Sequence, residues 1–372
     1  MDFTYDDNQQ MLRDTVDRFL TDRYDLSARR KLLDDPVGQR ALWRELAGLG
    51  LIGAAFPEEV GGYASSPVDA LVVMERFGRH LVTLPYLVTA IVCGRLLIAG
   101  GQAALIERVI AGEVRLALAA GSTHVLRSAE DHSFTATPAG KGWTLRGRMP
   151  VVIGGDSADM LIVAARTAGA LGDRDGITLF LVDARRAAMR GFRMIDGHGA
   201  AELVIDALVV DADAVLGPVG GGVPLVEEAL DHGTAAACAE AIGAMSHLVP
   251  ATAEYTRTRV QYGAPLAKFQ VLQHRMADMY IQTETARSMA YVAAMSLGGD
   301  ARERTRIVSA AKAQVGKSGK FVGYQAVQLH GGMGVSEELD IGHHYIRLNT
   351  LNLLFGDTAF HLRRFAAAGA SA

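Results

Sequence analysis

The residues best suited to chemistry begin near position 255, in the last third of the chain. Residues 255–263 end in a glycine, and a cation, amides and aromatic rings are concentrated there and directly after it: Arg259, Gln261, Tyr262, Phe269 and Gln270. A guanidinium is a planar cation that pairs well with a pyrophosphate, and an aromatic side chain offers a face to a ring system. The segment predicts a contact with a phosphorylated, ring-bearing ligand, with a plain helix–helix turn as the alternative.

A second segment, residues 328–334, is rich in glycine. Gln328 is followed by three glycines within four positions: Gly331, Gly332 and Gly334. Glycines let a backbone approach a ligand closely, and the N–H groups are then available to phosphate. A turn between helices would explain this segment equally well by itself, but the two segments within one helical region together favour a binding site.

The familiar catalytic signatures are missing from the sequence. It contains no G-x-S-x-G nucleophile elbow, no P-loop, no H-E-x-x-H motif and no G-x-G-x-x-G after a strand. The pair His343 and His344 suggests a metal, but adjacent helical residues point in different directions and no carboxylate or cysteine cluster accompanies them. We therefore expect both histidines at the surface or at a helix edge, and no metal site.

Composition narrows the class of protein. The net charge of −4 gives no basic face for nucleic acid. The first residues do not show the basic segment followed by an apolar segment that marks a secretion signal. The apolar residues 84–99 are interrupted by Pro85 and Arg95 and are too short for a membrane span. Cys93 and Cys238 lie in apolar surroundings, which predicts buried, inert thiols. A cytoplasmic protein without a membrane span is expected.

The elements that must position these residues change character twice along the chain. Helical periodicity predicts an N-terminal helical domain over residues 1–114 and a C-terminal four-helix-bundle domain over residues 217–372. Between them, residues 115–216 carry short apolar runs separated by turn-rich segments, which is typical of a small antiparallel β domain. The predicted fold class is α+β, with strands at residues 116–120, 143–146, 160–164, 177–182 and 202–210.

These motifs and their order resemble the acyl-CoA dehydrogenase family over essentially the whole chain. The N-terminal part is similar in Pro57-Glu58 and Gly61-Gly62. The C-terminal part is similar in three motifs: Arg259-x-Gln261-Tyr262-Gly263, Phe269-Gln270-x-x-Gln273 and Gln328-x-x-Gly331-Gly332-x-Gly334. Among members, the chain most resembles the small subunit of pimeloyl-CoA dehydrogenase and the heteromeric enzymes that act on sterol side chains.

The resemblance implies a reaction and its participants. In the family, a carboxylate removes the α-proton of an acyl-CoA thioester while the β-hydrogen leaves as hydride to FAD, and an electron-transfer flavoprotein reoxidises the flavin. The matching motifs are those that contact FAD, so the resemblance assigns FAD contacts to Arg259, Gln261, Tyr262, Phe269, Gln270, Gln328, Gly331 and Gly332. Thr358 matches the threonine of another family motif, Y-E-G-T, and is assigned a contact as well.

The chain departs from the family where the base belongs. The Y-E-G-T motif corresponds here to residues 355–358, so Gly356 occupies the position of the glutamate. The alternative glutamate site of some members falls near Gly233, which also lacks a carboxylate. Asp357 and Asp231 lie close to these positions, but each is displaced and one methylene shorter. Asp357 is the candidate base, and a cap or turn role is the competing interpretation.

The predicted β domain departs as well. The family's T-E-P-x-A-G-S-D loop is replaced by residues 120–124, and its W-I-T flavin contact by residues 150–152, which are Pro-Val-Val. Side chains that would hydrogen-bond the isoalloxazine are thus missing, while the motifs that reach a neighbouring subunit's adenosine diphosphate are kept. This split favours a subunit of a heterotetramer with a second acyl-CoA dehydrogenase-like chain. A self-sufficient homo-oligomer using Asp357 or Asp231, and a non-catalytic acyl-CoA-binding or scaffold subunit, are the alternatives.

Overall fold

The computed structural model describes residues 5–121 and 133–370. Their contacts form two compact units, each assembled from separate pieces of the chain. The helical unit contains residues 5–30, 67–82 and 234–370, and the sheet unit contains the described residues of 31–66 and 83–233. The three-domain division of the sequence stays a prediction.

Helices account for both ends of the described chain. Residues Leu87–Cys93 form a π-helix that leads directly into an α-helix. The α-helices are α1 (Asp7–Arg23), α2 (Leu26–Leu33), α3 (Pro36–Gly48), α4 (Pro67–His80), α5 (Gly94–Ala99), α6 (Ala103–Ile110), α7 (Gly222–Thr258), α8 (Gln270–Ser296), α9 (Ala301–His330), α10 (Asp340–Leu353) and α11 (Thr358–Ala370).

The strands lie between α6 and α7, apart from a short hairpin after α7. They are β1 (Leu116–Ala119), β2 (Phe134–Ala139), β3 (Gly142–Ile153), β4 (Met160–Arg166), β5 (Ile177–Asp183), β6 (Ala188–Arg193), β7 (Gly199–Val210), β8 (Val215–Leu216), β9 (Val260–Gln261) and β10 (Ala264–Pro265). The main sheet has the order β6-β7-β3-β2-β4-β5-β8, and β1 also pairs with β4. In β1, all four residues are buried, as expected for a strand covered on both faces.

The predicted sheet is confirmed and most of its strand pairs are antiparallel, but two pairs are parallel. Both β1 and β2 run parallel to β4, whereas the other pairs in the sheet are antiparallel. A parallel pair needs a crossover connection, and the chain provides one because residues 120–133 separate β1 from β2 and the β3 hairpin separates β2 from β4. The sheet is therefore mixed.

In the helical unit, α4 and α7 pack with their backbones in close approach. Gly78 of α4 faces α7, where a methyl group added to its Cα would lie 1.8 Å from the carbonyl oxygen of Glu240. Gly243 of α7 faces α4 in the same way, at 1.8 Å from the carbonyl oxygen of Glu75. Because no real side chain tolerates such a distance, this crossing requires glycine on both helices.

A buried ion pair joins α7 to α10 within the same unit. The Nε of Arg347 donates to Oε1 of Glu240 at 2.6 Å, and Nη2 donates to Oε2 at 2.7 Å. Both side chains are less than 5% exposed. The two parallel hydrogen bonds satisfy the carboxylate in a dry environment, where an unpaired charge would be costly.

The remaining expectations about the chain can be compared with the described residues. Cys93 and Cys238 are buried, free thiols, and burial raises the pKa of Cys238 to about 12, so the expectation of inert cysteines is confirmed. Every helix in the described part of the chain is too short or too polar to cross a bilayer. Pro250 lies inside α7, and Pro265 lies in the break between α7 and α8, where a proline cannot continue a helix.

Candidate functional site

The two segments singled out in the sequence meet at one end of the helical unit. Tyr255, in the last turn of α7, donates a hydrogen bond from its hydroxyl to the carbonyl oxygen of His330 at 3.2 Å. The two rings are also stacked, with centroids 4.3 Å apart. His330 is the last residue of α9 and directly precedes Gly331. Tyr255 and His330 therefore hold the arginine motif beside the glycine motif, a role that sequence reasoning missed.

The first motif forms an exposed arm. Strands β9 and β10 pair as a two-stranded hairpin, and Tyr262 lies at its tip with φ +53° and 91% of its surface exposed. Phe269 contacts the Tyr262 ring edge-on at 6.2 Å. The guanidinium of Arg259 is exposed and makes no hydrogen bond or ion pair with the residues that the structure describes. A cation and the Tyr262 ring are thus exposed on the surface, and the half-buried Phe269 lies next to them.

The glycines of the second motif have two different roles. Gly331 ends α9 at φ +60°, and an added methyl group at Gly331 or Gly332 would meet no atom within 4 Å. Gly334, in contrast, is buried, and a methyl group there would lie 2.6 Å from the carbonyl oxygen of Val327. The first two glycines leave backbone open to a ligand, whereas the third is required by packing.

The adenosine diphosphate half of FAD fits this end of the unit. Gln328 and Gln270 are exposed beside the glycines and the hairpin, so amide donors accompany the arginine. A pyrophosphate is recognised by a guanidinium, and the exposed Arg259 provides one next to a glycine turn whose backbone a ligand can approach closely. The structure thus brings together eight of the nine predicted cofactor contacts. Thr358 lies apart from them, at the start of α11.

The segment that replaces the family's base has an unusual backbone. Phe355 adopts φ +60° and Gly356 adopts φ +107°. A side chain at position 356 would place its Cβ 2.3 Å from the ring of Phe360. The backbone therefore selects glycine at this position, and a glutamate could not be accommodated without rebuilding the segment.

Two buried side chains hold this backbone in place. Lys312 on α9 donates from Nζ to the carbonyl oxygens of Gly356 at 2.8 Å and Asn352 at 3.0 Å. Burial lowers the pKa of Lys312 to about 8. His361 on α11 donates from Nε2 to the carbonyl of Phe355 at 3.0 Å, and burial lowers the pKa of this imidazole to about 3. Neutral His361 acts as a donor, so the segment is fixed by hydrogen bonds rather than by a carboxylate.

Asp357 is placed as a helix cap. Its Oδ1 accepts a hydrogen bond from the backbone N–H of Phe360 at 2.8 Å, and its carbonyl accepts one from His361. This is the pattern of an N-cap residue at the start of α11. Thr358 donates its hydroxyl to Oδ1 of Asn352 at 3.0 Å, so its side chain is engaged within the unit. Asp231, the other candidate base, is buried in α7 at 1% exposure.

Two segments near the sheet, residues 120–124 and 150–152, replace motifs that the family uses to contact the flavin ring. Residues 150–152 lie in β3, where Val152 is buried, and these three residues offer aliphatic side chains instead of a hydroxyl or an indole. Among the replaced residues 120–124, Ser122, Thr123 and His124 lie outside the described residues. Just after β3, the backbone N–H of Gly154 donates a hydrogen bond to the carbonyl oxygen of Gly199. Residues 150–152 therefore carry no hydroxyl or indole, and their lack of ring contacts stays a prediction.

The expectation for the histidine pair is right for one member only. His343 is partly exposed on α10, but His344 is 1% exposed, so a surface position is wrong for it. The expected lack of a carboxylate is also wrong, because His344 lies with Asp340 and His247 in one cluster. The sequence signal was available in the spacing of Asp340 and His344, which places them one helical turn apart. His247 is distant in sequence and could not be paired with them.

Comparisons with known proteins agree with this architecture. The family described as "Acyl-CoA dehydrogenase, C-terminal domain" matches residues 220–370, and "Acyl-CoA dehydrogenase, N-terminal domain" matches residues 6–115. Acyl-CoA dehydrogenase IpdE2 of Mycolicibacterium smegmatis is 29% identical over 365 residues, which cover 97% of this chain and 98% of that protein.

Two solved structures extend the comparison. A variant of the steroid acyl-CoA dehydrogenase Tcur3481-Tcur3483 has a TM-score of 0.86 and 28% identity, covering 98% of both chains. The ChsE4-ChsE5 complex from Mycobacterium tuberculosis has a TM-score of 0.88 and 25% identity, covering 100% of both chains. Together with the helix–sheet–helix order and the matched motifs, these findings show that the chain belongs to the acyl-CoA dehydrogenase family, FAD-binding oxidoreductases that act on the CH–CH group of acyl-CoA.

Proposed function

We propose that this chain is one subunit of a heteromeric acyl-CoA dehydrogenase, in which it supplies the adenine-side FAD contacts and a second subunit supplies the base. The observation that carries the proposal is the segment around Gly356. Its backbone excludes a glutamate, and the adjacent carboxylate of Asp357 caps α11. This chain keeps the exposed Arg259 arm but has no base at this segment. That combination is expected of a subunit that binds part of the FAD while another subunit carries the base.

Solved relatives support the heteromeric assignment. The ChsE4-ChsE5 complex is, by its name, an assembly of two different chains, and this chain aligns with one of them over its full length. Tcur3481-Tcur3483 is described as a steroid acyl-CoA dehydrogenase and also carries two chain names. We extend this to the substrate and propose a bulky acyl-CoA, such as one carrying a steroid or a dicarboxylic acyl group.

The reaction indicates which role each of the two subunits would have. When bound, FAD accepts the hydride from the β-carbon, and we propose that an electron-transfer flavoprotein then takes up the electrons. In this chain, Arg259 would pair with the pyrophosphate, and the open turn at Gly331 and Gly332 would let the ligand approach the backbone closely. The partner would hydrogen-bond the flavin ring and carry the carboxylate that removes the α-proton in a dry pocket.

Substitution of asparagine for Asp357 tests the proposal against a self-sufficient enzyme. Asparagine caps a helix about as well as aspartate, so Asp357→Asn should preserve α11. The substitution removes the only ionisable side chain of residues 355–358. We expect the turnover number of the assembled enzyme to stay within about twofold of wild type. Loss of a true general base lowers turnover by about 10²–10⁴-fold. Steady-state kinetics with an artificial electron acceptor distinguishes the two results.

Two further variants complete this experiment. Asp231→Asn should likewise leave turnover unchanged, so a large loss in either asparagine variant would contradict the proposal and identify the base. Asp357→Ala should lower the free energy of unfolding by about 1 kcal/mol, because the N-cap hydrogen bond to Phe360 is lost. Denaturant unfolding measures this cost independently of catalysis.

A further inference from the structure

A cluster of potential metal ligands lies within the helical unit, in a part of it that the proposed chemistry does not use. One ring nitrogen of His247, one ring nitrogen of His344 and one carboxylate oxygen of Asp340 all lie within 4.8 Å of one another. Asp340 is the first residue of α10 and His344 follows one turn later, so both face α7 on the same side of the helix. His247 projects from α7 to meet them, with Nε2 2.8 Å from Oδ2 of Asp340.

Burial and hydrogen bonding leave this cluster incomplete. His344 is 1% exposed, and its Nδ1 has no hydrogen-bond partner among the described residues. An unsatisfied buried polar atom is destabilising unless a ligand or an ordered water completes its hydrogen bonding. The rings of His247 and His344 are stacked at 4.5 Å, a spacing that does not by itself satisfy either ring nitrogen.

We propose that His247, Asp340 and His344 bind one divalent transition-metal ion, with Zn²⁺ as the physiological candidate, and that the ion ties α10 to α7. Two imidazoles and one carboxylate are a ligand set that Zn²⁺, Co²⁺, Ni²⁺ and Fe²⁺ accept, with water in the remaining positions. Ligand atoms around Zn²⁺ lie at about 2.1 Å from the ion, which places them about 3.4 Å apart. In the structure the three ligand atoms lie within 4.8 Å of one another, so the side chains would adjust around the ion.

Metal titration of the full-length protein, purified with any partner that it retains, tests the site. After chelator treatment and its removal, Co²⁺ should bind at one ion per chain and give a visible d–d spectrum of low-symmetry nitrogen and oxygen coordination. Zn²⁺ added afterwards should displace it and raise the melting temperature. A wild-type protein that binds no Co²⁺, or only weakly and without a defined stoichiometry, overturns the proposal.

Variants locate the binding at this cluster. Asp340→Asn keeps the size and helix-start preference of the side chain, and His247→Ala removes one ligand. Each should weaken Co²⁺ binding at least about tenfold, because substitution of a residue that only hydrogen-bonds a metal ligand already has an effect of that size. The matched control is His343→Ala, since His343 adjoins His344 on α10 but lies outside the cluster. Equal weakening in His343→Ala would overturn the assignment. Circular dichroism of each variant identifies any that fail to fold, and Asp340→Asn then carries the test.

Discussion

Arg259→Ala should weaken FAD binding by the assembled enzyme about 10–100-fold. The guanidinium is exposed on the β9–β10 arm and has no partner among the described residues, so its charge is available to a pyrophosphate. A hydrogen bond to a charged group contributes about 1.5–3 kcal/mol, which corresponds to this range of affinity. Fluorescence titration of the flavin-depleted enzyme with FAD gives the dissociation constant.

The matched control for this variant is Arg257→Ala. Arg257 is exposed on the same end of α7, two residues earlier, and lies 3.5 Å from Glu254. Its removal alters the surface charge equally but should leave the FAD dissociation constant within about twofold, since exposed pairs contribute little. Equal effects of the two substitutions would show that general surface charge, and not a contact of Arg259, controls the affinity.

Glu240→Ala should lower the free energy of unfolding by about 3–5 kcal/mol, the largest stability effect that we expect from a single substitution. The substitution leaves the guanidinium of Arg347 buried at 4% exposure without its bidentate carboxylate. Breaking a buried pair on one side strands a charge in a low-dielectric environment, and this is the source of the cost. Urea unfolding followed by far-ultraviolet circular dichroism measures it.

A double substitution separates the stranded charge from lost packing. Glu240→Met combined with Arg347→Met replaces the pair by apolar side chains and should recover most of the stability lost by Glu240→Ala. The exposed pair of Glu303 and Arg306, one turn apart on α9, provides the surface comparison, and removal of Glu303 should produce no measurable change. A double variant as unstable as Glu240→Ala would contradict an electrostatic origin.

Apolar runs located most of the sheet because its central strands are buried. The residues of β4 and β5 are largely covered on both faces, so their sequences are continuously hydrophobic. Strand β6 was missed because five of its six residues are exposed and no alternation marks it. Strand β2 was missed because threonines and a proline interrupt its apolar positions. The parallel pairing of β1 and β2 with β4 depends on contacts distant in sequence.

The site was predictable to the extent that local motifs define it. The hairpin at Tyr262 and the turn at Gly331 follow from short segments whose glycines demand particular backbones. What joins them, the contact between Tyr255 and His330, spans 75 residues and leaves no local pattern. Lys312 was equally hidden, because a lysine in a helix is ordinarily exposed and only the tertiary structure shows it buried beneath Gly356.

The flavin content of the purified chain, with and without its partner, is the most direct test of the account. The chain expressed alone should show no flavin absorbance, because residues 150–152 of β3 offer only aliphatic side chains to the flavin ring and the Arg259 arm is exposed. Co-expression with the dehydrogenase-like product of a neighbouring gene should yield a yellow complex that bleaches when acyl-CoA is added. A chain that purifies alone with stoichiometric FAD and turns over acyl-CoA would contradict it.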